Sequence, residues 1–443
     1  MKKIVEIVFS ALFVLASVCG CGTPSELDPQ SPVTLTMWHV YGEQADSPMN
    51  RLVEEFNRTV GREKGIVINV TMMTNAREIG ALLTSAQQNK PGAPQMPDLF
   101  SCHSANIATL GADAVLDWSD YFSQDEINGF VSDFIKDGMV DGKLCVLPVS
   151  KSTFLLFVNG SQFQRFSAET GIAASSLSTW SGLFAAAEKY YAWSGGKPMC
   201  ALDYLLRDIE LNAQAQGAQN LFAENGWYDV NNPILKQSYL EFIRPLVQGH
   251  ITVSDLYSNT QVMTGETLSG IGSSAAILYY NDVVTYPDNT TEPTNLQILP
   301  YPRAARGKAL MTQAGVGLGA YKTTTQKAEA ASVFAHWLTE PERNLEFVVQ
   351  TGYMPVRTGS FDAIDSYSFP DASHKALYDT LDTMRQSYTS VSEADRTDGY
   401  YEKTYRFYDQ LRQKQSQWKT RFARGESVDV LMEEAWQLFC NIQ

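Results

Sequence analysis

The sequence LCVLPVSKSTFLLFVN, residues 144–159, is an apolar stretch interrupted by Pro148 and by a short polar patch. Pro148 has no amide hydrogen and blocks the interior of a helix, so the stretch is predicted to be a buried strand. We expect it to carry the chain from one α/β lobe into a second lobe across a shared cleft. The polar side chains of Lys151 and Ser152 would then bind a ligand in the cleft. The alternative is a strand with one solvent-exposed face, which explains the same pattern without a ligand.

The 443-residue chain is long for one hydrophobic core, so two domains are expected. Its formal net charge of −15 argues against a nucleic acid partner, because phosphate binding needs a basic face. The cysteines have neither zinc-binding nor redox spacing, and no metal or cofactor is expected. Four of them, Cys102, Cys145, Cys200 and Cys440, are either disulfide partners in an exported protein or buried free thiols.

Residues 1–20 have the composition of a secretory signal peptide, in which two lysines precede an apolar stretch too short for a membrane-spanning helix. The end of this stretch, Val18-Cys19-Gly20-Cys21, resembles the bacterial lipobox. The resemblance implies that Cys21 carries a lipid, which holds the protein on the extracytoplasmic face of the cell membrane. A disulfide, or a plain position in the apolar stretch, is the alternative for Cys21. Residues 21–32 are polar and rich in proline, which predicts a short tether.

Strands and amphipathic helices alternate after the tether, which predicts a largely parallel sheet covered on both faces. The strands are predicted at 33–40, 66–72 and 97–101, and the helices at 49–57 and 77–88. Ligands of such sheets lie beyond the carboxyl ends of the strands. This rule selects side chains near the ends of the first and third strands, which are Trp38, His39, Tyr41, Ser101 and His103. Core packing is the alternative for Trp38, and a capped loop is the alternative for His39.

The second half of the chain is predicted to contain helices at 180–191, 205–215 and 235–247 and a strand at 272–280. Residues 296–301 have the same form as residues 144–159, an apolar run that ends in prolines. We interpret 296–301 as a second crossing between the lobes and 352–356 as a third.

This arrangement adds candidate ligand-binding residues in the second lobe. Asp203, Tyr204 and Arg207 share one helical face by their spacing and would hydrogen-bond ligand hydroxyls. A surface ion pair beside a buried ring is equally consistent with that spacing. Tyr279 and Tyr280 end the strand at the cleft, where one ring would stack on the ligand and the other would pack in the core.

The crossings supply two more candidates. Tyr353 lies in the third crossing, and the flexible backbone at Gly315 would allow close approach to a ligand. Residues 315–320 formally match GxGxxA, but the opening βαβ unit of a dinucleotide site is missing, so that interpretation is rejected.

A series of short motifs occurs in order along the chain, from Trp38-His39 to Thr351-Gly-Tyr-Met-Pro-Val356. Between them stand Phe56-Asn57, Pro97-Asp98, Val158-Asn159, Thr179-Trp180, Ala275-Ala276, Pro300-Tyr-Pro302, Gly315-Val-Gly317 and the residues Ala331, Phe334, Trp337 and Leu338. In this order, with a lipobox in front, they resemble the extracellular solute-binding proteins of ABC importers. The resemblance is greatest to the sugar-binding group that includes the maltose-binding and glycerol-3-phosphate-binding proteins, and it covers nearly the whole chain after the signal peptide.

The resemblance implies an α/β, two-lobed periplasmic-binding-protein fold of the class II type, with hinge strands between the lobes. The first lobe is expected at 33–147 and 303–350, the second at 153–297 and 358–443, and the hinge crossings near 148–152, 298–302 and 351–357. It also implies a monomer that closes on a carbohydrate or related polyol and docks on the permease subunits in the membrane. An aromatic content of 11% suits this ligand, since flat rings cover the apolar faces of a sugar.

A surface-anchored enzyme that acts on glycans is the second hypothesis. Such an enzyme needs two carboxylates about 5 to 10 Å apart across a cleft. Asp98 and Asp282, near predicted strand ends, form no local pair, and the sequence has no HExxH, GxSxG or P-loop motif. We therefore expect a binding protein without catalytic residues.

Overall fold

The structure is a computed structural model that describes residues 25–41, 47–73, 75–393, 396 and 398–442. The expected signal peptide, Cys21 and the first part of the expected tether lie outside these residues. At the start of the described chain, Ser25 Oγ donates to Glu329 Oε1 at 2.7 Å, and Thr325 Oγ1 donates to the Glu26 carboxylate at 2.7 Å. Residues 25 and 26 therefore lie against the helix Thr325–Leu338.

The first of two five-stranded sheets has the strand order Ile66–Met72, Val33–His39, Leu99–Cys102, Gly317–Ala320 and Leu147–Pro148. The first three strands are parallel, whereas Gly317–Ala320 is antiparallel to both of its neighbours. The prediction of a largely parallel sheet is therefore wrong at this edge. Gly317–Ala320 enters the sheet from the other lobe and not through a helical crossover, so its direction is free to differ.

Nine helices of the described chain belong to the first lobe: Pro48–Arg58, Val60–Lys64, Ala76–Gln87, Ser104–Leu110, Gln124–Asn128, Ser132–Asp137, Thr325–Leu338, Pro341–Thr351 and Thr358–Asp362. The helix Pro48–Arg58 shows why they form where they do. The Ser47 side chain accepts a hydrogen bond from the backbone of Asn50, and proline occupies the first turn. Its buried side chains recur at helical spacing and face the sheet, and they include Met49, Leu52, Val53 and Phe56.

The second sheet has the strand order Gln297–Leu299, Phe154–Val158, Ser269–Ser273, Cys200–Leu202 and Ile251–Thr252. Every residue of Phe154–Val158 is buried. The helices around it are Gly160–Thr170, Trp180–Trp193, Leu205–Ala215, Pro233–Gln248, Ser258–Met263, Ala372–Ser387, Asp398–Ala423 and Val428–Cys440. None of the described helices, the 26-residue Asp398–Ala423 included, is long and apolar enough to cross a membrane.

The strand predicted at 272–280 is wrong beyond Ser273. The strand of the structure is Ser269–Ser273, and it is followed by the 3-10 helix Ser274–Tyr279. The Ser273 hydroxyl accepts a hydrogen bond from the backbone of Ala275 at 3.3 Å. This local bond competes with the sheet ladder and starts a helical turn, which the apolar composition of the stretch does not reveal.

The opening stretch 144–159 contains two strands that belong to different sheets, Leu147–Pro148 and Phe154–Val158. Between them, Lys151 pairs with Met354 and Ser152 pairs with Ala314 through backbone bridges. Leu310–Gln313 pairs in parallel with Thr389–Ser392 close to the same place. Backbone hydrogen bonds therefore fasten the segments that cross between the lobes to one another.

The third crossing stays with the first lobe after residue 354. The Val131 amide donates to the carbonyl of Val356, and the Thr358 amide donates to the carbonyl of Gly129, both at 2.9 Å. The short helix Thr358–Asp362 follows directly.

Candidate functional site

A cavity of about 750 Å³ lies between the lobes, within the usual range of small-molecule sites. The first lobe lines it with Tyr41, Asn75, Arg77, His103, Asn106 and Asp137, and the second lobe with Ala275, Leu278, Tyr279, Glu393, Arg396 and Tyr401. The crossing segments contribute Ser150, Gln313, Gly315, Thr351 and Tyr353. Among the residues predicted from the sequence, the cavity brings together Tyr41, His103, Tyr279, Gly315 and Tyr353.

Tyr41 and Tyr353 form one wall of this cavity. Their ring centroids are 6.2 Å apart in an edge-to-face arrangement, and Phe347 packs against Tyr41 from behind at 5.1 Å. The Tyr41 hydroxyl lies 3.0 Å from the Ser150 hydroxyl. Burial raises the pKa of Tyr41, so this hydroxyl stays protonated. The wall combines aromatic surface with hydroxyl groups at its edge.

Tyr279 lies at the cavity on the second lobe, at the end of the 3-10 helix Ser274–Tyr279. Its side chain is 52% exposed, while the neighbouring Tyr280 stacks on Phe157 with 4.7 Å between ring centroids. Tyr279 is thus available to a ligand, and Tyr280 packs against the sheet.

Two helix starts place polar groups of the first lobe at the cavity. Asn75 caps the helix Ala76–Gln87 by accepting a hydrogen bond from the amide of Glu78 at 2.9 Å. At the start of Ser104–Leu110, the His103 amide donates to Asn106 Oδ1 at 2.9 Å. The side-chain amides of Asn75 and Asn106 are fixed in this way, and amide groups suit hydrogen bonding to hydroxyls.

Lys151 lies beneath the cavity and does not line it. Its Nζ is 2.5 Å from Asp137 Oδ2 and donates to the carbonyl of Gly315 at 3.3 Å, while its backbone pairs with Met354. The Lys151 side chain is 5% exposed and that of Asp137 is 26% exposed. Lys151 therefore connects its own segment and the segments of Met354 and Gly315 to the carboxylate of Asp137, which lines the cavity. Ser152 is also buried, and its backbone exchanges two hydrogen bonds with Ala314.

Arg207 lies behind the cavity in a buried ionic network. It contacts Glu210 at 2.9 Å and donates to Thr312 Oγ1 and to the carbonyl of Val391. Glu210 also contacts Arg396, which lines the cavity, at 3.0 Å. Arg207 thus holds the cavity-lining segment in position and makes no direct contact with the space.

Gln313 supplies a buried polar group to the cavity. Its Nε2 donates to Ser392 Oγ at 2.6 Å and to the carbonyl of Asp133 at 3.3 Å. Its Oε1 is buried without a hydrogen-bond partner among the described residues. Gln313 therefore connects the cavity lining to Ser392 and to the helix Ser132–Asp137.

The prediction that Asp203, Tyr204 and Arg207 share one helical face is wrong. The helix Leu205–Ala215 begins after Asp203 and Tyr204. Asp203 accepts hydrogen bonds from the Ser258 amide at 2.6 Å and the Ser258 hydroxyl at 2.9 Å. Burial raises the pKa of Asp203 to about 6, although these two bonds oppose the shift. Tyr204 stacks on Phe154 with ring centroids 4.8 Å apart. Neither side chain lines the cavity.

Asp208 gives the protein a pH-dependent stability. Burial raises the pKa of its carboxyl to about 8, while the hydroxyl of Tyr301, 2.7 Å away, acts in the opposite direction. In the unfolded chain an aspartate releases its proton near pH 4 (about 3.9). The folded protein therefore holds the extra proton between these values, and this group makes the free energy of unfolding fall as the pH rises across that window.

Replacing Asp208 by asparagine is expected to flatten this pH dependence. Asparagine keeps an oxygen for Tyr301 but does not titrate. Urea unfolding midpoints measured from about pH 5 to pH 8 should fall less steeply with pH in the variant than in the wild type. Equal slopes in the two proteins would contradict the assignment.

Trp38, His39 and Ser101 lie inside the first lobe and do not line the cavity. All three belong to strands, Val33–His39 or Leu99–Cys102, and are buried. His39 Nε2 donates to Asn50 Oδ1 at 2.8 Å, its Nδ1 accepts from the amide of Tyr41, and burial lowers the pKa of its ring. Each strand extends as far as these residues, so their side chains pack within the lobe. The ligand-facing edge of the sheet begins only after the strands end.

Several cavity residues were not predicted from the sequence. Asn75 follows the strand Ile66–Met72 at the same sheet edge as Tyr41, so the rule that selected Tyr41 would have found it. Glu393, Arg396 and Tyr401 come from the far end of the chain, and no local pattern marks them.

Cys102, Cys145, Cys200 and Cys440 are free thiols, and the first three are buried. Within the described ranges, no three His, Cys, Asp or Glu side chains lie together as possible metal ligands.

Two mixed sheets, joined by crossing strands around an open cleft, define a two-lobed binding protein. A family model of bacterial extracellular solute-binding proteins matches residues 51–376, which is more than half of the chain. The protein belongs to this family of bacterial extracellular solute-binding proteins. A comparison with curated protein sequences gives no match.

Solved structures with low sequence identity have the same fold. An extracellular solute-binding protein of family 1 from Alicyclobacillus acidocaldarius has a TM-score of 0.68 at 14% identity, covering 94% of this chain and 100% of that one. The cyclic α-maltosyl-1,6-maltose binding protein from Arthrobacter globiformis has a TM-score of 0.65 at 19% identity, covering 92% and 98%. UgpB from Mycobacterium tuberculosis, in complex with glycerophosphocholine, has a TM-score of 0.62 at 16% identity, covering 93% and 99%. The two-lobed α/β fold predicted from the sequence is confirmed.

Proposed function

We propose that this protein is the substrate-binding component of an ABC importer and that it captures a carbohydrate or related polyol between its lobes. The observation that carries the proposal is the cavity of about 750 Å³, which has tyrosine rings on both sides and amide, imidazole and carboxylate groups around them. An aromatic ring covers the apolar face of a pyranose, and polar groups of mixed donor and acceptor character bind its hydroxyls.

The charges around the cavity favour a neutral ligand. Asp137 is paired with Lys151, and Arg396 is paired with Glu210. Arg77 lies over the ring of Tyr401 at 5.6 Å from its centroid, and Glu393 adds a negative charge. Phosphate recognition relies on clustered arginines or on a glycine-rich helix start, and the described lining presents cations that are offset by carboxylates. This balance supports a sugar over a sugar phosphate.

We assign direct ligand contacts to Tyr41, His103, Tyr279, Gly315 and Tyr353, and we add Asn75, Asn106, Asp137 and Gln313. The other sequence-predicted residues act indirectly in this proposal. Lys151, Ser152 and Arg207 position the crossing segments, Asp203 and Tyr204 support the second lobe, and Trp38, His39 and Ser101 support the first.

The proposal includes a lipid on Cys21, a place at the extracytoplasmic face of the cell membrane, monomeric state and delivery of the ligand to permease subunits. Family membership and the lipobox-like sequence support these parts. Closure of the lobes would then bury the ligand and mark the loaded state for the permease. Proteins of the same fold include a maltose-bound protein from T. maritima and a chitin oligosaccharide binding protein.

A melting-temperature screen tests the ligand class. Neutral mono- and oligosaccharides should raise the melting temperature, because a ligand at 100 times its dissociation constant adds about 2.7 kcal/mol, or roughly a few degrees. Sugar phosphates should have a smaller effect at equal concentration. A flat response to the whole panel would refute the sugar assignment. Labelled oligosaccharides should also remain uncleaved, whereas turnover would favour an enzyme that acts on glycans.

A further inference from the structure

A second cavity of about 380 Å³ adjoins the first one outside the mouth of the cleft. Its lining residues, which we call the outer groove, are Arg77, Tyr401, Glu402, Tyr405 and Arg406. Arg77 and Tyr401 also line the main cavity, so the two spaces meet at this pair. Arg77 comes from the helix Ala76–Gln87 of the first lobe, and the other four come from the helix Asp398–Ala423 of the second lobe. The outer groove therefore continues the cleft along its rim.

The tyrosines of the outer groove lie outside the buried stripe of their helix. Asp398–Ala423 is held by a separate inner stripe, in which Phe407, Leu411 and Trp418 are buried. In contrast, Tyr401 is 49% exposed and Tyr405 is 73% exposed. They are four residues apart, so they lie one above the other on the same helix face. Tyr401 also contacts Tyr400 and Arg77, and Tyr405 is the more exposed of the two rings.

The chemistry of the outer groove matches that of the main cavity. Both combine tyrosine rings with groups that donate and accept hydrogen bonds, here the guanidinium groups of Arg77 and Arg406 and the carboxylate of Glu402. Rings of this kind stack on the apolar face of a pyranose, and the charged groups bind its hydroxyls. A volume of about 380 Å³ is sufficient for a small-molecule subsite.

We propose that the outer groove binds the end of an oligosaccharide whose other end occupies the main cavity. This inference rests on the proposed function and names a chain-like glycan as its ligand. The sugar chain passes the rim beside Arg77 and Tyr401, and its outer residue stacks on Tyr405. The groove thereby selects for length, because a short sugar fills only the main cavity.

The test compares short and long members of two sugar series by calorimetry, with maltose and maltohexaose, and chitobiose and chitohexaose. In one of the two series, the hexasaccharide should bind the wild type more tightly than the disaccharide. Tyr405→Ala should weaken binding of that long member by about threefold to tenfold and leave the short member unchanged. Tyr405→Phe keeps the ring and should retain the wild-type affinities. Gln410→Ala, an exposed position on the same helix outside the groove, is the matched control.

The outcomes separate this inference from the proposed function. Equal loss for short and long sugars in Tyr405→Ala, or no loss for either, would overturn the outer groove while the sugar assignment stands. A lack of binding by all four sugars to the wild type would count against both.

Discussion

Asp137→Ala is expected to destabilise the protein by about 3 kcal/mol, because it leaves the ammonium group of Lys151 buried without its counter-ion. The Lys151 side chain is 5% exposed, and its other contact is one carbonyl, that of Gly315. The same substitution removes a carboxylate from the cavity, so the affinity for the sugar that responds in the melting screen should also fall. Urea unfolding and calorimetry measure the two effects.

Two further variants make the Asp137 prediction specific. Asp133→Ala changes the same residue type on the same helix, but Asp133 pairs with Lys136, whose side chain is 73% exposed, so the cost should be below about 1 kcal/mol. The double variant Asp137→Ala with Lys151→Met has no buried charge at this place and should be more stable than Asp137→Ala alone. If the double variant were the less stable of the two, the buried charge would not be the cause.

Gly352→Ala is expected to weaken sugar binding by at least about tenfold, because the added methyl group pushes the two lobes apart. Gly352 ends the helix Pro341–Thr351 with φ +70°, and a Cβ there would lie 2.8 Å from the Cα of Ala275 and 3.1 Å from the carbonyl oxygen of Ser274. Both belong to the second lobe, and Ala275 lines the cavity. Because these are backbone atoms, no side-chain rotation relieves the contact.

The matched control for Gly352 is Gly171. It ends the helix Gly160–Thr170 with φ +74°, and a Cβ there would meet nothing within 4 Å. Gly171→Ala and Gly352→Ala should both lose about 1 to 2 kcal/mol from backbone strain, but only Gly352→Ala should bind sugar more weakly. Small-angle scattering with saturating sugar should show a larger radius of gyration for Gly352→Ala. Equal affinities in the two variants would contradict a contact between the lobes at Gly352.

Local sequence pattern predicted much of the first lobe. The strand at 66–72 was predicted with its observed bounds, and helix 205–215 of the second lobe was also predicted correctly. The strand begins with an alternation of buried and exposed residues, whereas ten of the eleven residues of the helix are buried. The 3-10 helix Ser274–Tyr279 was missed because its cause is a single capping bond at Ser273 and not a repeating pattern.

The site was harder to predict because its parts come from distant segments. The rule for strand ends selected Tyr41 and His103, which line the cavity, but it also selected Trp38 and Ser101, which are still within their strands. Arg396 and Tyr401 reach the cavity only because the carboxyl-terminal helices pack on the second lobe. Lys151 illustrates a further difficulty, since its polar character indicated a ligand contact and the structure gives it an internal partner, Asp137.

Hydrogen bonds hold Ser25 and Glu26 against Thr325–Leu338, and they would limit how far a lipid-anchored protein can move from the bilayer. With Cys21 lipidated, as proposed above, four peptide units would separate Cys21 from Ser25, and four peptide units span at most roughly 14 Å. The first lobe would then stay close to the lipid headgroups, and its rotation relative to the membrane would be restricted. A permease in the same bilayer would meet this protein by lateral diffusion in two dimensions. The first lobe would already lie within a narrow range of distances from the membrane surface.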